Sequence, residues 1–339
     1  NRSIIIPGKT DSKIEIIHTE MHEFSNINIL PSKGNILRNI NIEKVPYEWG
    51  SIYNENIYFP DNVATLNEPY ILREHRGQTI QFQPFQYNGF KKKLKVYSDI
   101  TIKISFNGNN TINQIEKETI KPSHEFNGIY SNQFINYNST RYSPISEEGE
   151  MLIICYDSFL SSIQPLVDWK NQKGIKTTLV AKSTAGNSAT SIKNFVEDFY
   201  DEYNLAYLLL VGDKTQIPTF TVGSGWSSGE SDISYAYMSG NDSYPEFLVG
   251  RISAENTSHV TTQVDRTINY EKNPQPGDWY TDGIVIASNE GAGAGHDGGE
   301  SDWQHARNMR TDLLSYHYTG ISEFYDGTHS GGNDQSGNP

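Results

Sequence analysis

The sequence of 339 residues contains a single cysteine, Cys155. One thiol can form no internal disulfide and cannot build a thiolate-rich zinc site, so a chain of this length must rest on its own apolar cores. Basic residues are also few. Against 41 Asp and Glu stand 27 Lys and Arg, a net charge of -14, which argues against binding nucleic acid through the phosphate backbone and for a well-hydrated surface. No apolar run approaches the roughly 18 residues of a membrane-spanning helix. The chain starts at Asn1 without a methionine or a signal-like segment, and it is expected to be a piece of a longer precursor.

What is present falls into two patterns. Residues 1–106 are rich in Ile, Tyr, Phe, Asn and Thr and have almost no helical periodicity. Thr79–Tyr87 and Phe90–Phe106 flank Asn88-Gly89, a strong hairpin signal, and Ile100, Ile102, Ile104 and Phe106 alternate with polar residues as a half-buried strand must. An antiparallel β domain is expected, with turns at Pro31-Ser-Lys-Gly34 and Tyr58-Phe-Pro60 and a solvated edge at Lys91-Lys92-Lys93. From Asn107 the composition shifts to Asn, Ser, Thr, Glu and Lys, and no periodicity survives. Residues 107–141 therefore read as a linker, ending in a Pro- and Gly-marked stretch, Asn138–Gly149, of the kind that proteases cut.

From Met151 the second pattern begins, strand and helix in turn, and residues 142–339 form the second domain. Met151–Tyr156, Lys176–Val180, Ala206–Val211 and Gly283–Ala287 read as buried strands; Phe159–Lys173, Ala189–Tyr203 and Thr257–Glu271 read as amphipathic helices. Such alternation implies right-handed crossovers and a mostly parallel sheet covered on both faces. Ile233–Met238 and Phe247–Arg251 are expected to form a short hairpin. Ligands gather beyond the carboxyl ends of buried parallel strands, which singles out Asp213, the first charged residue after Ala206–Val211. The glycine-rich loop after Ala287 lacks the spacing and the lysine of a phosphate cradle. Beyond it, Ser301 and Gln304 make a capping box that places Asp302 at the first position of a helix.

In order and spacing, several blocks resemble the gingipain family of secreted bacterial cysteine endopeptidases. These are Val167-Asp-Trp-Lys-Asn-Gln-Lys-Gly174, Tyr207–Asp213 with Ile217-Pro218, Gly240–Glu246 with Val249-Gly-Arg251, Gln263–Glu271 and Gly299–His305. The first domain is similar to the gingipain propeptide through Pro31–Gly34, Tyr70–Gly77 and Pro84–Asn88. The resemblance implies a β-rich propeptide followed by a caspase-like α/β catalytic domain, truncated at its carboxyl end, whose histidine–cysteine dyad lies beyond Pro339. Cys155, inside an apolar strand, is not a candidate for the nucleophile.

Further positions are carried over from the family. Asp302 is similar to the acid at the floor of the pocket that selects Arg, with Lys as the alternative. Asp213, Ser239, Asp242, Tyr244 and Glu246 match a calcium site, with Ser239 and Tyr244 using main-chain oxygens, and Glu300 and His305 match part of a second one. Arg141-Tyr142 resembles the processing junction. Arg73, Arg76 or Lys91–Lys93 are candidates to fill the pocket in the precursor. The implied partners are peptides with basic residues and the propeptide bound to the catalytic domain, and the implied location is secreted or at the bacterial surface. The fragment alone is expected to be inactive. A calcium-binding adhesion module of the same fold, or a signal-cleaving peptidase of the secretion system, is the alternative.

Overall fold

The computed structural model describes residues 1–34, 36, 40–115, 124–137, 149–225, 228–288 and 299–325, which fall into two compact units. The processing pair Arg141 and Tyr142, the glycine-rich loop 289–298 and residues 326–339 lie outside them.

The first unit comprises residues 1–22, 60–86 and 95–274. It opens on β1 (Arg2–Ile5) and β2 (Asp11–Ser25), followed by β3 (Ala64–Leu66), β4 (Tyr70–Leu72), β5 (His75–Phe82), β6 (Phe85–Asn88) and β7 (Lys93–Asn107). β5 pairs antiparallel with β1, β3 and β4, and its alternation buries Ile80 with Ile4 and Ile6 against Ile14, Leu66, Phe82, Ile102 and Ile104. At Gly77 a β-carbon would stand 2.5 Å from the Tyr70 ring, so the close approach of β4 admits only glycine. β7 lies between β2 and β6 in a second sheet. The expected run 79–87 is broken after Phe82, where Pro84 has no N–H to give the ladder. The turn that joins β6 to β7, whose residues belong to the second unit, is longer than Asn-Gly: Asn88 Oδ1 accepts from Lys91 N at 2.8 Å, and Lys92 carries the positive φ of 53°. Phe106 is exposed, so the buried alternation stops at Ile104.

Within the stretch expected to be an aperiodic linker, α1 (His124–Gln133) is a helix. Phe126 and Tyr130 on it, with Phe134 just after it, recur every fourth residue. They bury against Tyr70 and Leu72, and that packing outweighs poor helix formers such as Asn127 and Gly128.

The rest of the unit alternates as the sequence predicts. β8 (Glu150–Cys155), α2 (Leu160–Gln172), β9 (Thr177–Ala181), a single turn α3 (Lys182–Ala185), α4 (Ala189–Glu202) and β10 (Leu205–Val211) lead to the small antiparallel pair β11 (Phe220–Val222) and β12 (Gly229–Ser231). β13 (Leu248–Ile252) and α5 (Thr257–Lys272) complete it. The sheet is parallel, in the order β13-β10-β8-β9. Leu152, Ile154, Leu208 and Leu210 pack on Ile192 and Val196 of α4, while Ile153 and Cys155 pack on α2 and α5 through Ile163, Leu166, Val260 and Val264. The expected hairpin of 233–238 with 247–251 does not form. Ile233–Ala236 is a short helical turn that buries Tyr235 and Ala236, and β13 finds its partner in β10.

The second unit comprises residues 23–59, 87–94 and 275–339. In it β14 (Asp282–Ala287), α6 (Asp302–Ser315) and β15 (Gly320–Tyr325) make one unit of strand, helix and parallel strand. Val285, Ile321 and Tyr325 bury one face of the pair under Ala306 of α6. β15 is not among the elements expected from the sequence.

Candidate functional site

Asp302 is the first residue of α6 and only 8% exposed. Ser301 precedes it as N-cap, its N–H donating to Gln304 Oε1 at 3.1 Å, as the capping box predicts. One Asp302 oxygen accepts from Ser288 Oγ at 2.7 Å, just past the carboxyl end of β14. A carboxylate there is held by the helix dipole and by a fixed hydroxyl, in the place where parallel strands present ligands. On the next turn His305 Nδ1 lies 3.1 Å from Glu300 Oε2, and Asn308 Nδ2 donates to Glu300 Oε1 at 2.6 Å. Below them Glu323 of β15 is buried and paired with Arg307 Nε at 3.0 Å while accepting from Tyr325 OH. This ion pair ties α6 to β15. Sequence reading misses it because an acid in a strand and an arginine 16 residues away carry no shared period.

In the first unit the segment 239–246 precedes β13. Glu246 is fully buried: Oε2 accepts from Met238 N at 2.7 Å, and Oε1 has no hydrogen-bond partner. Burial pushes its carboxyl up to about 8 and Asp242 adds to the rise, against the Met238 and Ser239 N–H groups that hold the charge. Asp242 accepts from Tyr244 N at 3.0 Å and from Ile71 N at 2.8 Å, and Tyr244 stacks on Tyr70 with centroids 4.0 Å apart. Ser239, Asp242, Tyr244 and Glu246 are thus one cluster.

Asp213 is not part of it. It follows the carboxyl end of β10, its N–H bonded to Ala254 O and Oδ1 accepting from Ser253 Oγ at 3.1 Å. Since Tyr207 is level with Leu248, Glu246 stands beside Leu205, and Asp213 lies at the other edge of the sheet, roughly 25 Å along the strands. The five residues matched to one calcium site therefore do not converge. Among the described residues no three of His, Cys, Asp and Glu gather as a metal site.

Cys155 is fully buried at the end of β8, and burial, with Asp157 nearby, pushes its thiol up to about 12. Such a thiol is a packing residue. Two of the basic candidates for the pocket are also committed elsewhere. Arg73 donates to Leu205 O, Glu246 O and Asn204 Oδ1, and Arg76 donates to Pro7 O, Thr10 O and Ile112 O. Lys93 pairs with Glu23. A further arginine does structural work: Arg251 holds Asp232 through two bonds of 2.7 Å and reaches Gly212 O, fixing the loop after β10.

Comparison with known proteins gives the following. Residues 145–336 match the profile of Peptidase family C25, and residues 1–145 that of Propeptide_C25. Gingipain R2 of Porphyromonas gingivalis is 39% identical over 96% of the chain, which spans 45% of that protein. Of solved structures, the Arg specific cysteine proteinase gingipain R is 37% identical with a TM-score of 0.47, over 55% of this chain and 44% of that one. The complex of the RgpB pro- and mature domains is 36% identical with a TM-score of 0.36, over 40% of this chain and 69% of that one.

Proposed function

Because the chain belongs to peptidase family C25, with that family's propeptide ahead of it, we propose that it is the proregion and amino-terminal catalytic part of a cysteine endopeptidase that cleaves after basic residues, arginine before lysine. The observation that carries this is Asp302, a buried carboxylate at the start of α6, just past the carboxyl end of β14, that accepts from Ser288 Oγ. A guanidinium matches such a carboxylate with two parallel charge-assisted bonds, whereas an ammonium offers a single point charge. Cys155 has neither the access nor the acidity of a nucleophile, so that role is not assigned to it. The protein is exported, its proregion binds its catalytic part, and peptides with basic residues are its substrates. Among the described residues no helix is long and apolar enough to cross a membrane.

Calcium is the proposed structural ion. Glu246 and Asp242 would supply carboxylates, and Ser239 and Tyr244 main-chain oxygens; the buried, unpartnered Glu246 Oε1 is what fits a cation there. The ion would supply charge to a site whose acids repel each other. Glu300 and His305 are proposed as part of a second site, with the imidazole fixing the Glu300 carboxylate.

The test of specificity is Asp302→Asn in the full-length enzyme. kcat/KM on an arginyl substrate should fall by about two orders of magnitude, the cost of leaving a guanidinium without its acid, while a substrate with an uncharged isostere at that position should be cleaved as before. Equal losses on both would remove Asp302 from the pocket.

A further inference from the structure

The guanidinium of Arg73 belongs to the β4–β5 turn of the propeptide-like region, yet all its strong hydrogen bonds go to the catalytic part. Nη1 donates to Leu205 O at 2.7 Å and to Glu246 O at 2.9 Å, and Nη2 donates to Asn204 Oδ1 at 2.6 Å. The residue is 2% exposed. The guanidinium carbon lies 5.8 Å from the Tyr200 ring centroid and 4.8 Å from that of Phe126.

Each acceptor is available for a local reason. Asn204 and Leu205 follow the carboxyl end of α4, where the helix dipole favours a cation. The pairing of β10 with β8 shifts register between Leu205 and Tyr207, and such an irregularity leaves a carbonyl outside the ladder. Glu246 lies just before β13 starts, so its carbonyl too points past the amino edge of the sheet. Three oxygens and a ring face therefore converge where the fold alone does not require them to.

The other side shows a matching cost. β4 and β5 are joined by Arg73-Glu74, and Arg73 has φ 54°, at a turn position where glycine is usual. A non-glycine residue held there persists when its side chain is over-determined by its surroundings. Beside it, Ile71 N donates to Asp242 and Tyr70 stacks on Tyr244.

We propose that Asn204, Leu205 O, Glu246 O and the Tyr200 ring form a guanidinium-recognition site on the catalytic part, which binds Arg73 in the intact chain and holds the proregion in place after the linker is cut. Once the proregion leaves, the same site takes an arginine side chain from a peptide. Cleavage at the linker is thus separate from release, and arginine-bearing ligands hasten release. Nothing in this depends on Asp302 or on peptidase activity.

The test inserts a recognition sequence for an unrelated protease between residues 138 and 148 of the 339-residue chain, cuts it, and measures dissociation of the two pieces by size-exclusion chromatography and by surface plasmon resonance. The wild-type pieces should co-elute at micromolar concentration. Arg73→Ala should weaken retention about 100-fold and Arg73→Lys about 10-fold, since an ammonium cannot reach three acceptors in one plane. A peptide spanning residues 70–76 should accelerate release, and the same peptide with alanine for Arg73 should not. If Arg73→Ala fails to fold, Asn204→Ala decides: it removes one acceptor from the catalytic side and should weaken retention about 10-fold. Retention unchanged in Asn204→Ala, or equal competition by the two peptides, overturns the proposal.

Discussion

His75 follows the Arg73-Glu74 turn and sits among rings, with centroids 4.6 Å from Tyr130, 5.7 Å from Tyr137 and 6.1 Å from Phe134. Burial lowers its imidazole to about 4 from an ordinary 6.5, because the rings offer the charged form less than water does. A lowered folded-state value means that the unfolded chain binds the proton first. Stability from this residue is therefore complete above pH 6.5 and lost as pH falls towards 4. Its neighbour Glu74 runs the other way: burial raises its carboxyl, against the Tyr130 hydroxyl and Arg73, so its contribution is largest in acid and lost as pH rises through the raised value. A difference between variants separates the two. Between pH 7 and pH 4.5 the wild-type chain should lose on the order of 2 kcal/mol more than His75→Phe, allowing for the part of the ring that water reaches. Denaturant titration at the two pH values measures this; parallel losses in both proteins would show that His75 takes no part in the acid response.

Among the elements, the segment 239–246 bears the calcium proposal, and the sheet geometry makes it testable. Thermal unfolding of the chain should shift upward by roughly 5 °C with calcium well above its dissociation constant. Asp242→Ala should abolish the calcium-dependent part of that shift, whereas Asp213→Ala should leave it whole, since Asp213 stands at the opposite edge of the sheet. A shift lost in Asp213→Ala but kept in Asp242→Ala would reverse the assignment. Asp213 marks what sequence can and cannot convey. The strand before it, the helices α2, α4 and α5 and the Ser301 cap were legible, because burial imposes a period and caps use few residue types. Which edge of the sheet a loop reaches depends on strand pairing, and β13 lies beside β10 only through long-range contacts that no local pattern records. α1 was hidden for another reason. Its core positions, Phe126, Tyr130 and Phe134, do repeat every fourth residue, but they stand among Asn, Ser and Gly, whose propensities signal a loop.

At the scale of the whole molecule, a precursor that reads basic residues, as proposed, would be cut after one of its own, and the candidates narrow once their contacts are known. Arg73 and Arg76 are enclosed by main-chain oxygens in the first unit, so neither is a bond that a protease reaches in the folded precursor. Cleavage needs an exposed segment that can enter an active site, which buried turns do not supply. Arg141 lies in the Pro- and Gly-marked stretch 138–149, which spans residue 145, where the profiles of the propeptide and of the peptidase meet. If Asp302 selects arginine in substrates, as proposed, it should select it here as well. Asp302→Asn in the full-length precursor should slow maturation and arginyl-substrate cleavage by similar factors, about two orders of magnitude each. Arg141→Gln should slow maturation alone, leaving the activity of any matured enzyme intact. N-terminal sequencing of the matured protein should read Tyr-Ser-Pro from Tyr142. A mature start elsewhere with no basic residue before it, or normal maturation of Arg141→Gln, would separate the pocket from the junction and assign processing to another protease.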